Sequence, residues 1–128
     1  MTVDSSALVA VLFAEPGYVD LIDRMLAADH VRIGAPTLVE TSLVFVGRRH
    51  ARGASEVEEL VKELGITVVS FGEAEWRAAV DAFARYGRGR HKASLNFGDC
   101  LAYACAAVGG DSLLYVGENF LHTDISQA

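Results

Sequence analysis

The chain's 128 residues are 52% hydrophobic and 22% charged, enough apolar material to bury roughly two-thirds of the unfolded surface without disulfides or a structural metal. That composition excludes an intrinsically disordered chain. With 11 Lys+Arg against 17 Asp+Glu, the net charge of −6 repels phosphate backbones, so contact with nucleic acid requires a local exception.

In chain order, Thr2 and Val3 make a very short strand ending at Asp4, and Ser5 to Phe13 has helical spacing with a serine start. Pro16 sits where a second helix begins, running to about Ala28 with Val19, Ile22 and Leu26 on one face. Residues 31–35, VRIGA, form the next strand. Pro36 opens a third helix, apolar around most of its circumference before turning basic at Arg48, Arg49 and Arg52; such a helix is central or lies at an interface. Ser55 with Glu56, Glu58 and Glu59 marks the start of a fourth helix, which Gly65 stops before a β-branched strand at 66–71. Gly72 to about Tyr86 is a fifth helix, carrying Trp76, Val80 and Phe83 inward. The loop GRGRHKAS at 87–94 precedes a small-residue helix from about Phe97 to Val108, and LLYV at 113–116 is the last strand before a short turn and tail. Apolar strands that do not alternate, separated by helices, describe an α/β fold with a mostly parallel sheet of about four to five strands, covered on both faces.

Cys100 and Cys105 stand five residues apart on one helix, which points them to different faces, so both are read as buried, reduced thiols. No basic stretch precedes the first apolar run, and no run approaches the roughly 18 apolar residues of a membrane span. The expectation is a soluble, cytoplasmic protein with no membrane contact. His30, His50 and His122 lack metal-ligand spacing and are read as surface or packing residues.

Ligands of such sheets bind outside the carboxyl ends of the strands, so acids just after strands deserve inspection. Asp4 ends the first strand, Asp99 lies in the first turn of the helix after the basic loop, and Glu118 follows the last strand. Glu40 sits inside the third helix among apolar neighbours, where a carboxylate facing the core is expensive without a partner. Taken singly, Asp4 is also a helix N-cap and Asp99 a charge favoured by its helix dipole. Gathered at one sheet edge, carboxylates repel one another and take up protons unless a cation neutralises them. Hard oxygen ligands select Mg²⁺, with Mn²⁺ as a substitute, over zinc.

The loop supplies the electrostatic exception. Arg85, Arg88, Arg90 and Lys92 are fixed charges with His91 among them, and removing those four from the total leaves −10 on the rest of the chain. Gly87 and Gly89 allow close backbone approach and Tyr86 offers a stacking face, so Arg85, Arg88, Arg90, His91 and Lys92 are candidate RNA contacts; the plainer alternative is a solvated flexible loop.

The ordered set VDSSALVA (3–10), APTLVET (35–41), YGRGRHKASLNFGDCLAYA (86–104) and LLYVGENFLHTDI (113–125) resembles the PIN-domain family and, more narrowly, the VapC toxins of bacterial type II toxin–antitoxin modules. The resemblance covers essentially the whole chain and implies one PIN-like domain over 1–128 with three α/β/α layers. It further implies a Mg²⁺-dependent endoribonuclease, inhibited by a small cognate antitoxin and forming a homodimer. Carried over by motif, Asp4 and Asp99 are the metal ligands, Glu40 is the acid of the third helix, and Ser6 orients Asp4. One departure stands out: where similar toxins carry a fourth acid before the Phe of the last motif, GENF places Asn119, with Glu118 one residue earlier. Asparagine supplies no charge, so the expectation is a weakened metal site and attenuated cleavage unless Glu118 compensates.

Under this reading Asp4 and Asp99 hold the cation, Glu40 positions the attacking water, and the loop holds the RNA backbone. The main competitor is a catalytically inactive PIN domain acting as an antitoxin-binding interaction module. There the partner lays an apolar segment beside the third helix and reaches the acids with a basic side chain. A phosphorylated receiver domain also gathers acids at strand ends, but it needs a lysine near the last strand, and Lys62 and Lys92 are the chain's only lysines.

Overall fold

A computed structural model describes residues 1–49 and 53–128. His50 and Arg52 fall outside the described residues. Among those described, the order is β1 (Thr2–Val3), α1 (Ser5–Leu12), α2 (Tyr18–Ala27), β2 (Arg32–Gly34), α3 (Ala35–Arg49), α4 (Gly53–Glu63), β3 (Thr67–Val69), α5 (Glu73–Tyr86), α6 (Phe97–Gly109) and β4 (Leu113–Leu114). The four strands make one sheet in the order β3-β2-β1-β4, with every neighbouring pair parallel. Beyond β4 the chain's end returns to form an isolated parallel bridge between Leu113 and Gln127, short of a fifth strand.

The sheet is short because only its centre must be apolar on both faces. Val3, Ile33 and Leu114 point into one core with Leu8, Leu21 and Met25 of the first two helices, while Leu113 points into another with Ala82, Ala102, Tyr103 and Phe120. Alternation along a strand thus serves two helix layers, giving three layers in all. Strand order reverses between β1 and β4, because the chain builds outward through β2 and β3 and then crosses to the other side of β1. The carboxyl ends of β1 and β4 therefore open the crevice where this architecture binds ligands.

Two faces differ from the sequence expectation. The buried residues of α2 are Leu21 and Met25, with Ile22 half-buried, while Val19 and Leu26 face solvent at 54% and 63% exposure. Helix α2 begins two residues after Pro16, capped by Gly17 at φ 89°, and its Leu21–Met25 face meets the core in place of the Val19–Leu26 face. On α5, Trp76, Val80 and Phe83 are not inward: they are 55%, 58% and 41% exposed, and the fully buried residue is Ala82. Small residues on both helices let α5 lie close against α6, which leaves the larger stripe outside on the wall of a groove.

Cys100 and Cys105 are free and buried on different faces of α6, and Cys105 lies where a Cβ on Gly34 would be, which ties strand β2 tightly to the helix. His30 is engaged rather than idle, its Nε2 standing 2.8 Å from Asp111 Oδ1. Asp111 also receives Thr2 Oγ1 and the Arg32 guanidinium, pinning the amino ends of β1 and β2 to the approach of β4. No described helix is long and apolar enough to cross a membrane.

Candidate active site

Asp4 follows β1 directly and caps α1. Its Oδ2 accepts both the Ser6 amide at 3.0 Å and the Ser6 hydroxyl at 2.6 Å. Ser6 Oγ in turn accepts the Val116 amide at 3.0 Å, so one hydroxyl fastens the ends of β1 and β4 to each other and orients the carboxylate between them. Asp99 occupies the third position of α6 in a reciprocal capping box: Asn96 Oδ1 accepts its amide at 2.9 Å while its own Oδ2 accepts the Asn96 amide at 2.9 Å. Both acids thus fill the structural cap roles that the sequence left open, and each does so through a single oxygen, Oδ2. Both are also buried, at 4% and 8% exposure, which a cap alone does not require.

Glu40 reaches the same place from α3. A Cβ on Gly98 would meet its two carboxylate oxygens at 2.6 and 2.7 Å, so glycine beside Asp99 is what lets the third helix and the start of α6 approach so closely. Glu40 Oε2 is buried without any hydrogen-bond partner, and its carboxylate takes a hydrogen bond from Ser5.

The electrostatics follow from this convergence. Burial pushes the carboxyls of Asp4, Glu40 and Asp99 above their ordinary values; the charge of Asp99 adds to the rise at Asp4, and those of Asp4 and Asp99 add to it at Glu40. At Asp99 the rise from burial is moderated by the Asn96 amide, the Asn119 side chain and the charge of Arg88. An orphaned carboxylate oxygen beside two mutually repelling acids is a site that favours a cation. Among the described residues no three His, Cys, Asp or Glu side chains draw close enough to form a complete cage. Such an open set of hard oxygen donors fits a cation that keeps much of its own water shell.

The supporting residues separate. Asn119 joins the cluster, its Nδ2 donating to Asp99 Oδ2 at 3.2 Å. Glu118 is exposed, and no described contact links its side chain to the three acids. The basic loop is closed rather than loose: Arg88 N donates to Leu95 O at 3.0 Å and Leu95 N to Tyr86 O at 2.9 Å. Arg85 is consumed by this framework through Asp124 at 2.9 Å, Asp81 and the Tyr86 hydroxyl. His91 accepts the Ala93 amide on Nδ1 and meets Tyr86 edge-on, with ring centres 5.2 Å apart. Arg88, Arg90 and Lys92 remain exposed, with Arg90 over the Phe83 ring.

Ser5, Gly98 and Asn96 escaped the sequence reading as site residues. Asn96 and Asp99 had a legible signal in the spacing of a capping box, and Gly98 in being a glycine inside a helix, a residue that costs stability unless something must come close. Ser5 had none, because its contact to Glu40 joins two helices far apart in sequence.

Beside the acids runs an apolar groove of about 1090 Å³, walled by Val39 and Leu43 of α3, Trp76 and Val80 of α5, and Phe97 and Leu101 of α6, with Glu40 on its lining.

The PIN domain family matches residues 1–126 of the chain. A VapC ribonuclease of Mycobacterium bovis and ribonuclease VapC36 of Mycobacterium tuberculosis are each 41% identical over 126 residues, covering 98% of this chain and 91% of theirs. A ribonuclease VapC of Mycolicibacterium smegmatis is 39% identical, covering 98% of both chains. Among solved structures, the sarcin-ricin loop cleaving toxin VapC20 of Mycobacterium tuberculosis superposes with a TM-score of 0.76 at 15% identity, covering 99% of this chain and 97% of that one. A chain from a toxin–antitoxin complex of Klebsiella pneumoniae gives 0.74 at 13% identity, covering 96% and 92%. Those two likenesses bear on the fold, and the sequence relatives bear on the group. The chain belongs to the PIN-domain family, within the group of VapC ribonucleases.

Proposed function

We propose that this chain is the toxin of a type II toxin–antitoxin pair, an endoribonuclease using Mg²⁺, or Mn²⁺ in its place, in the cytoplasm. The observation that carries the reading is the gathering of Asp4, Glu40 and Asp99 from three separate elements, each carboxyl pushed up by burial and one oxygen left orphaned. The names of the sequence relatives supply the reaction class.

Asp4 and Asp99 would hold the cation, both already oriented by hydrogen bonds to one oxygen. A bound divalent cation supplies Lewis-acid polarisation of a phosphate and makes a water more acidic near neutral pH. Glu40 accepts a proton from the attacking water: its orphaned oxygen has a free lone pair, and its raised pKa brings it nearer working pH. The charge of Arg88 lowers the pKa of Asp99, so from the loop side it would offset charge developing on the phosphate. Arg90 and Lys92 extend that track along the RNA backbone without reading sequence. The apolar groove beside Glu40 is the surface that suits an antitoxin's amphipathic segment, with a basic side chain placed toward the acids. The exposed apolar face of α3, Val39 and Leu43, offers an alternative contact between two copies of the chain.

Asn119 stands where the resemblance calls for a fourth acid. Its amide donates to Asp99 as an ionised carboxylate could not, which helps orient that acid and leaves out one negative charge. A small-RNA pool incubated with the partner-free protein should be cut with Mg²⁺ and spared with EDTA. Asp99→Asn should lower cleavage at least about 100-fold with the far-ultraviolet dichroism unchanged. Asn119→Asp should tighten Mg²⁺ binding in calorimetry. Cleavage that survives EDTA sinks the metal mechanism, and binding of a cognate antitoxin without cleavage by either form transfers the case to the inactive module.

A further inference from the structure

The turn that carries Asn119 is fastened to the rest of the protein by a carboxylate outside the acid cluster. Asp124 divides its two oxygens: Oδ1 accepts the Tyr103 hydroxyl at 2.6 Å and Oδ2 accepts Arg85 Nη2 at 2.9 Å. Tyr103 is buried on α6 one helical turn beyond Asp99, and so projects from the same side of that helix. Arg85 is the penultimate residue of α5, at the root of the basic loop, and its Nη2 also bonds the Tyr86 hydroxyl at 2.7 Å. One side chain therefore touches the helix that bears Asp99, the helix that leads to Arg88, and the turn that bears Asn119.

The link between Asp124 and Asn119 is stiff. Thr123 Oγ1 donates to Phe120 O at 2.8 Å and accepts the Ile125 amide at 3.3 Å, while Leu121 N donates to Glu118 O at 3.1 Å. Phe120, next to Asn119, is 2% exposed and packs against Tyr115 with ring centres 4.9 Å apart. A turn braced by its own hydrogen bonds moves as a unit, so a displacement at residue 124 reaches residue 119. The Asp124 side chain is itself 54% exposed, and an exposed ion pair contributes little to folding. The Arg85 pair thus adds position rather than stability, while the part-buried Tyr103 bond anchors the turn to α6.

We propose that Asp124 is a positioning residue, holding the 118–125 turn and the root of the basic loop against α6 so that the Asn119 amide stays on Asp99. Its effect on cleavage rests on the ribonuclease reading; the positioning itself does not.

The test uses the full-length, partner-free protein labelled with ¹⁵N. In Asp124→Ala the side-chain amide signals of Asn119 move toward those of a free asparagine, while Asp124→Asn, which keeps one acceptor oxygen where the carboxylate used two, recovers part of the wild-type position. Asn119 signals unmoved in Asp124→Ala overturn the proposal, whatever happens to cleavage. In the cleavage assay Asp124→Ala lowers kcat about tenfold and leaves KM within about twofold, as expected of a misplaced group that does not itself bind substrate. The double variant Asp124→Ala with Asn119→Ala loses no more than Asn119→Ala alone, and additive losses overturn the coupling. If the wild-type protein cuts no RNA at all, the ribonuclease reading fails, and the amide signals still decide the positioning.

Discussion

Asp4, Glu40 and Asp99 hold their protons more tightly in the folded chain than in the unfolded one, with burial as the leading cause for each. A carboxyl raised in this way contributes stability that is fully present below its unfolded value and is lost as pH rises through its folded value. The window opens near the ordinary values of 3.8 for aspartate and 4.5 for glutamate and extends upward. Asp111 works at the other end: burial alone would raise it, but bonds from His30, Arg32 and Thr2 hold it at about 2, so its contribution disappears only as pH falls toward that value. In EDTA, therefore, Asp4→Asn should melt higher than wild type, with a gap that widens over the range in which pH rises above about 3.8. Asparagine caps a helix as well as aspartate does, so the cap is not the variable. A gap that stays constant or shrinks over that range contradicts a buried, repelling cluster. Saturating Mg²⁺ should remove the gap by stabilising the wild type alone. The acids themselves were legible from their places after strands and inside an apolar helix. The way Gly98 admits Glu40 was not, since nothing in a sequence says which helix will lie against a glycine.

Helix α3 shows most plainly what periodicity can and cannot give. Its apolar circumference implied a central or interfacial helix, and the structure shows one side central and the other open: Phe45 is fully buried, whereas Val39 and Leu43 are 56% and 67% exposed on the groove. The same holds for α5, where the Trp76, Val80 and Phe83 stripe was correctly grouped on one face but wrongly turned inward. Periodicity fixes which residues share a face; whether that face is covered by the same chain or by another is decided by how closely neighbouring helices pack. A groove occupied by a partner makes a direct prediction. Leu43→Asp should weaken antitoxin binding at least about 10-fold in a titration, since it buries an unpaired charge in an apolar contact, while leaving the melting temperature of the free protein within a few degrees. Equal affinity of the variant would place the antitoxin elsewhere. On the buried side of α3, Thr37 Oγ1 is fully enclosed without a hydrogen-bond partner, while its carbonyl accepts Thr41 Oγ1 at 2.9 Å. Thr37→Val keeps the shape and removes the unsatisfied hydroxyl, so stability should stay level or rise by about 1 kcal/mol in denaturant melts. A loss of that size would reveal a partner for the hydroxyl, such as an ordered water.

Across the whole molecule the charge is acidic, yet Arg88, Arg90 and Lys92 stand exposed on a closed loop, with the charge of Arg88 felt at Asp99. The sequence announced this concentration of charge and its place just ahead of Asp99. What it concealed was the division of labour, because Arg85 reads like its neighbours until Asp124 and Asp81 are found holding it. Under the proposed function RNA approaches a protein of net charge −6, so binding would rely on this short-range basic rim and grow steeply weaker with salt. Each lost phosphate contact on a single strand reduces the slope of log K against log salt by about 0.7. Arg88→Gln together with Arg90→Gln should therefore flatten the slope by about 1.4, measured by anisotropy on a catalytically silent Asp99→Asn background. Arg85→Gln should leave the slope near the wild-type value, because that guanidinium already faces Asp124. If instead Arg85→Gln flattens the slope as much as the pair does, the ion pair opens to RNA and the rim is wider than the free protein's geometry implies. If the pair has no effect, the RNA track lies off the loop, and the charge of Arg88 serves Asp99 alone.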